Sequence, residues 1–264
     1  MLRFFLLVFF MSVFRSAVGC DEGVATIIGK TDFPPLSWQQ NGKLDGIAYV
    51  IMKKIMQEKG VVLEVQDSMP WKRALQSTRR GETDFVVTVR ETENRRKSLQ
   101  FVPAIMMESA QNVFYRSGNT FNNLEDLKGK RGGMTLGLRF SDDFSLFAKQ
   151  HLDLKEVPKL RQNILKLDGG RIDYFISPML PTLHYIQSNN VKTNINYMLE
   201  PLFVSEERVA ISKFSSCLKH IDFISKRMKE LNDNGFVDSL LENELAQWSV
   251  MTDVMEKVNS TPEI

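Results

Sequence analysis

In the stretch "GKTDFPPLSW", residues 29–38, the first three residues have the types that grip a phosphate and the rest do not. A phosphate loop needs Gly, four residues, then Gly-Lys-Ser/Thr, so that successive backbone N–H groups curl around the anion before a helix starts. Gly23 stands one position too early for that spacing, and Val24-Ala25-Thr26-Ile27-Ile28 is the β-branched apolar run of a strand. Phe33-Pro34-Pro35 then forbids the helix that should follow. The stretch therefore reads as a strand that ends in a loop of prolines and aromatics. Other chemistries find little pattern. His151, His184 and His220 are scattered, no Cys/His cluster has metal-ligand spacing, and no nucleophile elbow occurs, so no metal or other cofactor is expected. Asp32, Glu108 and Asp142 are candidates for a general acid or base by position alone.

The elements that position these residues follow an order that runs twice. After strand Val24–Ile28 and the Pro-aromatic loop, the spacing of Ile47, Val50, Ile51 and Ile55 predicts a helix from about Gly46 with one apolar face. A strand over 61–65 follows, then a helix opened by Pro70 with Trp71, Ala74, Leu75 and Thr78 along one side, then Gly81 and a buried strand over 84–89. Strand, helix, strand, helix, strand implies a parallel sheet covered by helices. The scheme restarts with a strand over 132–136 and a helix with Ser141 as N-cap and Asp142 and Asp143 in its first turn. Phe144, Phe147 and Ala148 give that helix its apolar face, and a strand over 154–157, a helix over 159–168 and a strand over 171–176 complete the unit. The ending differs: a strand over 208–211 and an amphipathic helix over 218–231, capped near Gly235, are expected to return and complete the first lobe. The predicted fold is thus α/β with two lobes, each a mostly parallel sheet flanked by helices, joined by two crossings. Its predicted divisions are 1–19, 20–108 and 109–201 for leader, first lobe and second lobe, then 202–248 for the return part and 249–264 for a loosely held tail.

Composition agrees with a folded pair of units: the chain has 264 residues, 43% hydrophobic and 25% charged. Residues 1–19 read as a secretory signal. Met1-Leu2-Arg3 is a positive start, 4–14 is almost unbroken apolar sequence, and Ser16-Ala17-Val18-Gly19 is a run of small residues. The apolar run is short of the ~20 residues of a comfortable membrane span, an uncleaved anchor being the alternative. Cleavage after Gly19 removes Arg3 and Arg15 and takes the formal charge from +2 to zero, so the basic character of the whole sequence implies no nucleic-acid partner. Export to an oxidising space, such as the periplasm, permits a disulfide between Cys20 and Cys217, the only two cysteines. The rival reading makes Ala17-Val18-Gly19-Cys20 a lipobox, with Cys20 a lipid anchor.

In open α/β sheets a ligand binds outside the carboxyl ends of the strands. That rule selects Thr31, Asp32 and Phe33 after the first strand, Thr88, Val89 and Arg90 at the third, and Gly137, Leu138, Arg139 and Ser141 in the second lobe. Phe33 and Trp38 read as an aromatic wall at the cleft mouth, or as plugs in the lobe's own core. In order along the chain, "FPPLSW", "GKLDGIAYVIMKKI", "PWKRALQSTRRGETDFVVTV", "ETENRRKSLQF", "LKGKRGGMTLG" and "GRIDYFIS" are similar to motifs of the family 3 extracellular solute-binding proteins. These are two-lobed receptors, with the type II periplasmic-binding-protein fold, that serve polar amino-acid ABC importers. The likeness covers about residues 24–245.

The resemblance implies specific roles. Arg95 matches the family arginine that grips the ligand carboxylate, a task suited to the planar fork of a guanidinium. Thr88 falls where the family has a small hydroxyl residue touching the ligand, Phe33 where an aromatic stacks over it, and Leu138, Arg139 and their neighbours where the second lobe makes contact. Arg96 and Lys97 read as a solvated charged run. Members of one branch carry a Cys before the first strand and another after the return strand, which supports pairing Cys20 with Cys217. One departure stands out. The family's Asp for the ligand ammonium, five residues after Asp173, is Pro178 in this chain, so the guest is an amino acid held differently or a carboxylate without an amine. Asp173 itself is expected to be structural. The implied function is a monomeric, non-enzymatic receptor that carries a small carboxylate or amino acid to a membrane permease. A receptor reporting to a membrane kinase, or a dehydratase-like enzyme on the same scaffold, are the alternatives.

Overall fold

The computed structural model describes residues 19–40, 43–136, 138, 142–192 and 194–248. Strand β1 (Val24–Ile28) lies in the first lobe between two parallel partners, β5 (Val62–Val65) and β6 (Phe85–Val89). All five residues of β6 are buried, as a central strand covered by helices on both faces requires. Between β1 and β5 run a small antiparallel sheet, β2 (Asp32–Phe33), β3 (Ser37–Gln40) and β4 (Lys43–Asp45), and helix α1 (Ile47–Gln57). Gly46 joins them at φ 114, where a Cβ would lie 2.5 Å from the Leu36 carbonyl oxygen, so only glycine lets the helix start against the hairpin. Ile47, Ile51 and Ile55 of α1 are buried as predicted. Val50 is not: it is exposed, and Ala48, Met52 and Met56 complete the buried stripe instead.

Helix α2 (Trp71–Arg79) begins directly after Pro70 and packs Ala74 and Leu75 on the opposite face of the sheet, with Val86, Val89 and Phe101. The chain then turns through α3 (Glu93–Arg96) and β7 (Leu99–Phe101) and leaves the lobe along β8 (Met107–Arg116). The second lobe holds β9 (Arg131–Thr135), α4 (Asp142–His151), β10 (Asp153–Val157), α5 (Leu160–Asp168), β11 (Tyr174–Pro178), α6 (Met179–Ser188) and β12 (Ile195–Tyr197). Strands β10, β9 and β11 are parallel, and β8 closes them as an antiparallel neighbour of β11. The last strand of the unit, predicted over 171–176, is displaced toward Pro178. Asp173 is tied to Arg131 by backbone and side chain ahead of the ladder, so regular pairing starts at Tyr174.

Strand β13 (Phe203–Ser212) returns and belongs to both lobes. Residues 203–207 pair with β8, and 208–212 pair with β6 and β7, with a register shift between Arg208 and Ala210. Together with the 102–106 segment entering β8, it makes the two expected crossings. Helix α7 (Ile221–Asp233) then packs on α1, burying Ile224, Met228 and Leu231 in the first-lobe core. Helix α8 (Phe236–Ala246) starts in the same core with Val237 and ends in a second-lobe cluster, where Leu245 meets Phe114, Phe175 and Leu183.

Cys20 is bonded to Cys217, closing the first turn of the described chain onto the segment after β13. A loop of 197 residues makes this a long-range constraint on the unfolded chain. Replacing both cysteines by serine is expected to lower the unfolding free energy by about 2–5 kcal/mol in urea titrations. An unchanged urea midpoint would contradict this.

Candidate functional site

The carboxyl ends of β1 and β6 and the crossing ribbon of β8 and β13 meet in one place. Thr88, near the end of β6, is fully buried and has φ 53, a left-handed conformation that a β-branched residue adopts at a cost of about 1–3 kcal/mol. It turns the chain out of the strand. Its hydroxyl donates to the Val87 carbonyl at 2.7 Å, and the Lys30 N–H approaches the Thr88 Oγ1 at 3.5 Å. The loop that follows is capped by Thr92, whose side chain accepts from the Arg95 N–H at 3.3 Å. Arg95 is half-buried, and its Nη1 donates to the Arg90 carbonyl at 2.5 Å, so the guanidinium is tied to the loop that carries it. Arg96 and Lys97 are exposed, and Arg96 forms a surface ion pair with Glu91 at 2.7 Å.

Phe33 is buried and Trp38 half-buried, and the small sheet pairs Trp38 with Asp32. The ring of Phe33 carries the Lys30 ammonium 3.7 Å above its centroid, and the ring of Trp71 lies 5.7 Å from the same nitrogen. Lys30 Nζ is also 3.1 Å from Glu207 Oε2, with the two side chains only 19% and 4% exposed. Removing one partner of so enclosed an ion pair strands the other charge, at a cost of about 3–5 kcal/mol.

Glu207 belongs to a polar row that follows from the period of two in a strand. Ser205 and Glu207 of β13 and Ser109 and Gln111 of β8 all point to one buried face. Ser205 Oγ donates to Glu207 Oε1 at 3.4 Å, and Gln111 Nε2 reaches Ser109 and Ser205. The buried Oε1 of Gln111 has no hydrogen-bond partner among the described residues. Pro178, opposite Gln111 at the end of β11, presents a pyrrolidine ring with no acceptor in its side chain.

Leu138 is half-buried against the cluster of Phe144, Tyr174 and Met198. Gly137, Arg139 and Ser141 lie outside the described residues, as do the side chains of Asp142 and Asp143. Asp32 and Glu108 are exposed. Lys30, Glu207 and the ribbon row were not singled out from sequence. Lys30 stood inside the opening stretch, and the alternation Ser205, Glu207 in a strand with apolar continuation was the signal for the row.

Two buried or half-buried aspartates staple corresponding places in the lobes. Asp84, 2% exposed, accepts from the Thr26 N–H and hydroxyl at 2.8 Å each and from Ser215 Oγ at 2.5 Å. Asp173 accepts from the Arg131 backbone N–H, Nε and Nη2 at 2.8, 3.1 and 2.7 Å. These bonds make Asp173 a structural residue joining β9 to the start of β11.

The family model for bacterial extracellular solute-binding proteins, family 3, matches residues 25–243, and the chain belongs to that family. An ancestral arginine-binding protein bound to arginine is 25% identical, with 84% of this chain and 98% of that one covered at a TM-score of 0.68. A substrate-binding protein of an ABC uptake transporter from Streptococcus pneumoniae, with bound histidine, is 16% identical over 86% and 94% of the chains at a TM-score of 0.69. A histidine kinase sensor domain with similarity to periplasmic binding proteins is 20% identical over 86% and 96% at a TM-score of 0.68. A search of the curated proteins gave no match. The fold is the mixed α/β, type II periplasmic-binding-protein fold.

The hydrogen bonds from Arg131 hold the Asp173 carboxyl below its ordinary value of 3.8, against a smaller opposing effect of burial. A carboxylate with a depressed folded pKa stabilises the fold above its unfolded pKa, and that contribution fades as pH falls toward the folded value. Asp173→Asn is therefore expected to be less stable than the parent at pH 7, with the deficit shrinking as pH drops below 3.8. Urea unfolding at stepped pH checks this, and a deficit that stays constant with pH would contradict it.

Proposed function

We propose that this chain is an exported receptor that captures a small polar carboxylate, an amino acid or an analogue of one, in the gap between its lobes. The closed form then delivers the guest to the permease of an ABC importer. The observation that carries this reading is the placement of Arg95. A capped turn just beyond the end of β6 ties its guanidinium to the Arg90 carbonyl, and a guanidinium fork matches a carboxylate in shape and charge. Membership of the solute-binding family supports it, and relatives bound to arginine, glutamine and histidine show what such folds accommodate elsewhere.

In this reading residues 1–19 are removed on export, and the mature receptor acts as a monomer in the periplasm. The bond from Cys20 to Cys217 engages the thiol that a lipid anchor would need. The ligand set is Phe33, Trp38, Thr88, Arg90 and Arg95 from the first lobe with Leu138, Arg139 and Ser141 from the second. Bridging both lobes, the guest stabilises the closed state by its differential affinity for it. The likeness to a kinase sensor domain favours a second reading, in which closure is reported to a membrane kinase instead. Co-purification with a permease or with a kinase separates the two.

Ligand binding raises the melting temperature by the linkage RT ln(1 + [L]/Kd). A thermal-shift screen of amino acids and small carboxylates is expected to identify a stabilising compound, and Arg95→Ala to weaken its binding by about a hundredfold or more. Equal affinity in the variant would remove Arg95 from the site.

A further inference from the structure

A cation cage is already built at the strand ends, and the protein fills it with its own side chain. Its walls are the Phe33 ring, 3.7 Å from Lys30 Nζ, the Trp71 ring at 5.7 Å, and the Glu207 carboxylate at 3.1 Å. An aromatic face together with a nearly enclosed carboxylate is the combination that recognises an ammonium group. We infer that Lys30 is a resident ammonium occupying this cage, and that the guest is a carboxylate with no amino group of its own. The inference rests on the receptor reading and narrows its ligand class.

Four points carry it. Lys30 is tethered two residues beyond β1, so its ammonium competes for the cage as an intramolecular group at high effective concentration. Its departure would leave Glu207, whose side chain is 4% exposed, as an unpaired buried charge unless the incoming cation took over every contact. With Lys30 in place, a guest ammonium brought to the same ring face meets a like charge. Across the gap, Pro178 at the end of β11 supplies no anion to hold an amine from the second lobe. The pair thus neutralises the crossing ribbon internally and leaves carboxylate recognition as the task of the site.

Isothermal titration calorimetry of the mature chain with matched pairs tests this: propionate with alanine, succinate with aspartate, and glutarate with glutamate. The amine-free member of the pair that binds is expected to be tighter by about tenfold or more. Lys30→Ala, which opens the cage against Glu207, is expected to reverse the preference toward the aminated member. Where that variant is too unstable, Lys30→Ala with Glu207→Gln leaves no charge of this pair in the cage, and its preference is expected to fall to within about threefold. A parent that prefers the aminated member, or variants that keep the parent's ratio, would overturn the inference alone. Binding of neither member of any pair would overturn the receptor reading, and the inference with it.

Discussion

One strand serves two sheets, and the rest of the architecture depends on it. β13 spends Phe203 to Glu207 completing the second lobe beside β8 and Arg208 to Ser212 completing the first beside β6 and β7. Neither lobe has a closed set of backbone hydrogen bonds without it, because an unpaired strand edge leaves buried N–H and C=O groups unsatisfied. The register shift at Arg208 marks the change of partner, and a local break in the ladder is where a strand bends. Hydrophobic burial is arranged around this constraint. The clusters built on α1 with α7 and on α2 belong to the first lobe, and those built on α4 and on α5 with α6 belong to the second. Helix α8 runs from one to the other, so the lobes are tied behind the ribbon by apolar contact as well as by strands.

The buried face of the ribbon is polar where a continuous core would be apolar. Ser109, Gln111, Ser205 and Glu207 satisfy one another in large part, and the remaining charge is answered by Lys30 from the first lobe. A buried ion pair adds little net stability, but breaking it is costly, so it fixes the position of whatever carries it. What it fixes is the face of Phe33 and the end of β1, beside the buried and strained Thr88. Order at the strand ends is therefore maintained by electrostatics, while the lobes themselves are held by packing and by the Asp84 and Asp173 staples.

The lobes were legible because their information is local. β-branched runs, helical spacing of Ile47, Ile51 and Ile55, and the glycines that end elements identified strands and helices whose residues interact with near neighbours. The double occurrence of the pattern gave two units. The crossing strand β8 and most of β13 were not read from the sequence, because their polar residues at Ser109, Gln111, Ser205 and Glu207 mask the apolar alternation that announces a strand. The reason for that polarity is tertiary: Glu207 meets Lys30 across 177 positions. The same separation hides the role of Lys30 in the opening stretch, whereas Phe33 stands out by its residue type alone. Val50 erred for a different reason, since helical spacing names a stripe but not which edge of it faces solvent. Arg95 was reached through family likeness, and its tie to the Arg90 carbonyl is a detail of loop geometry that spacing does not encode.

The proposed receptor holds a carboxylate at the strand ends between lobes that share β13. A crystal structure of the complex with the compound found in the ligand screen tests it most directly. The expected result is the guest in the gap, its carboxylate on the Arg95 guanidinium and Lys30 still paired with Glu207. A guest bound away from the gap, or one whose carboxylate is met by groups other than Arg95, would contradict it.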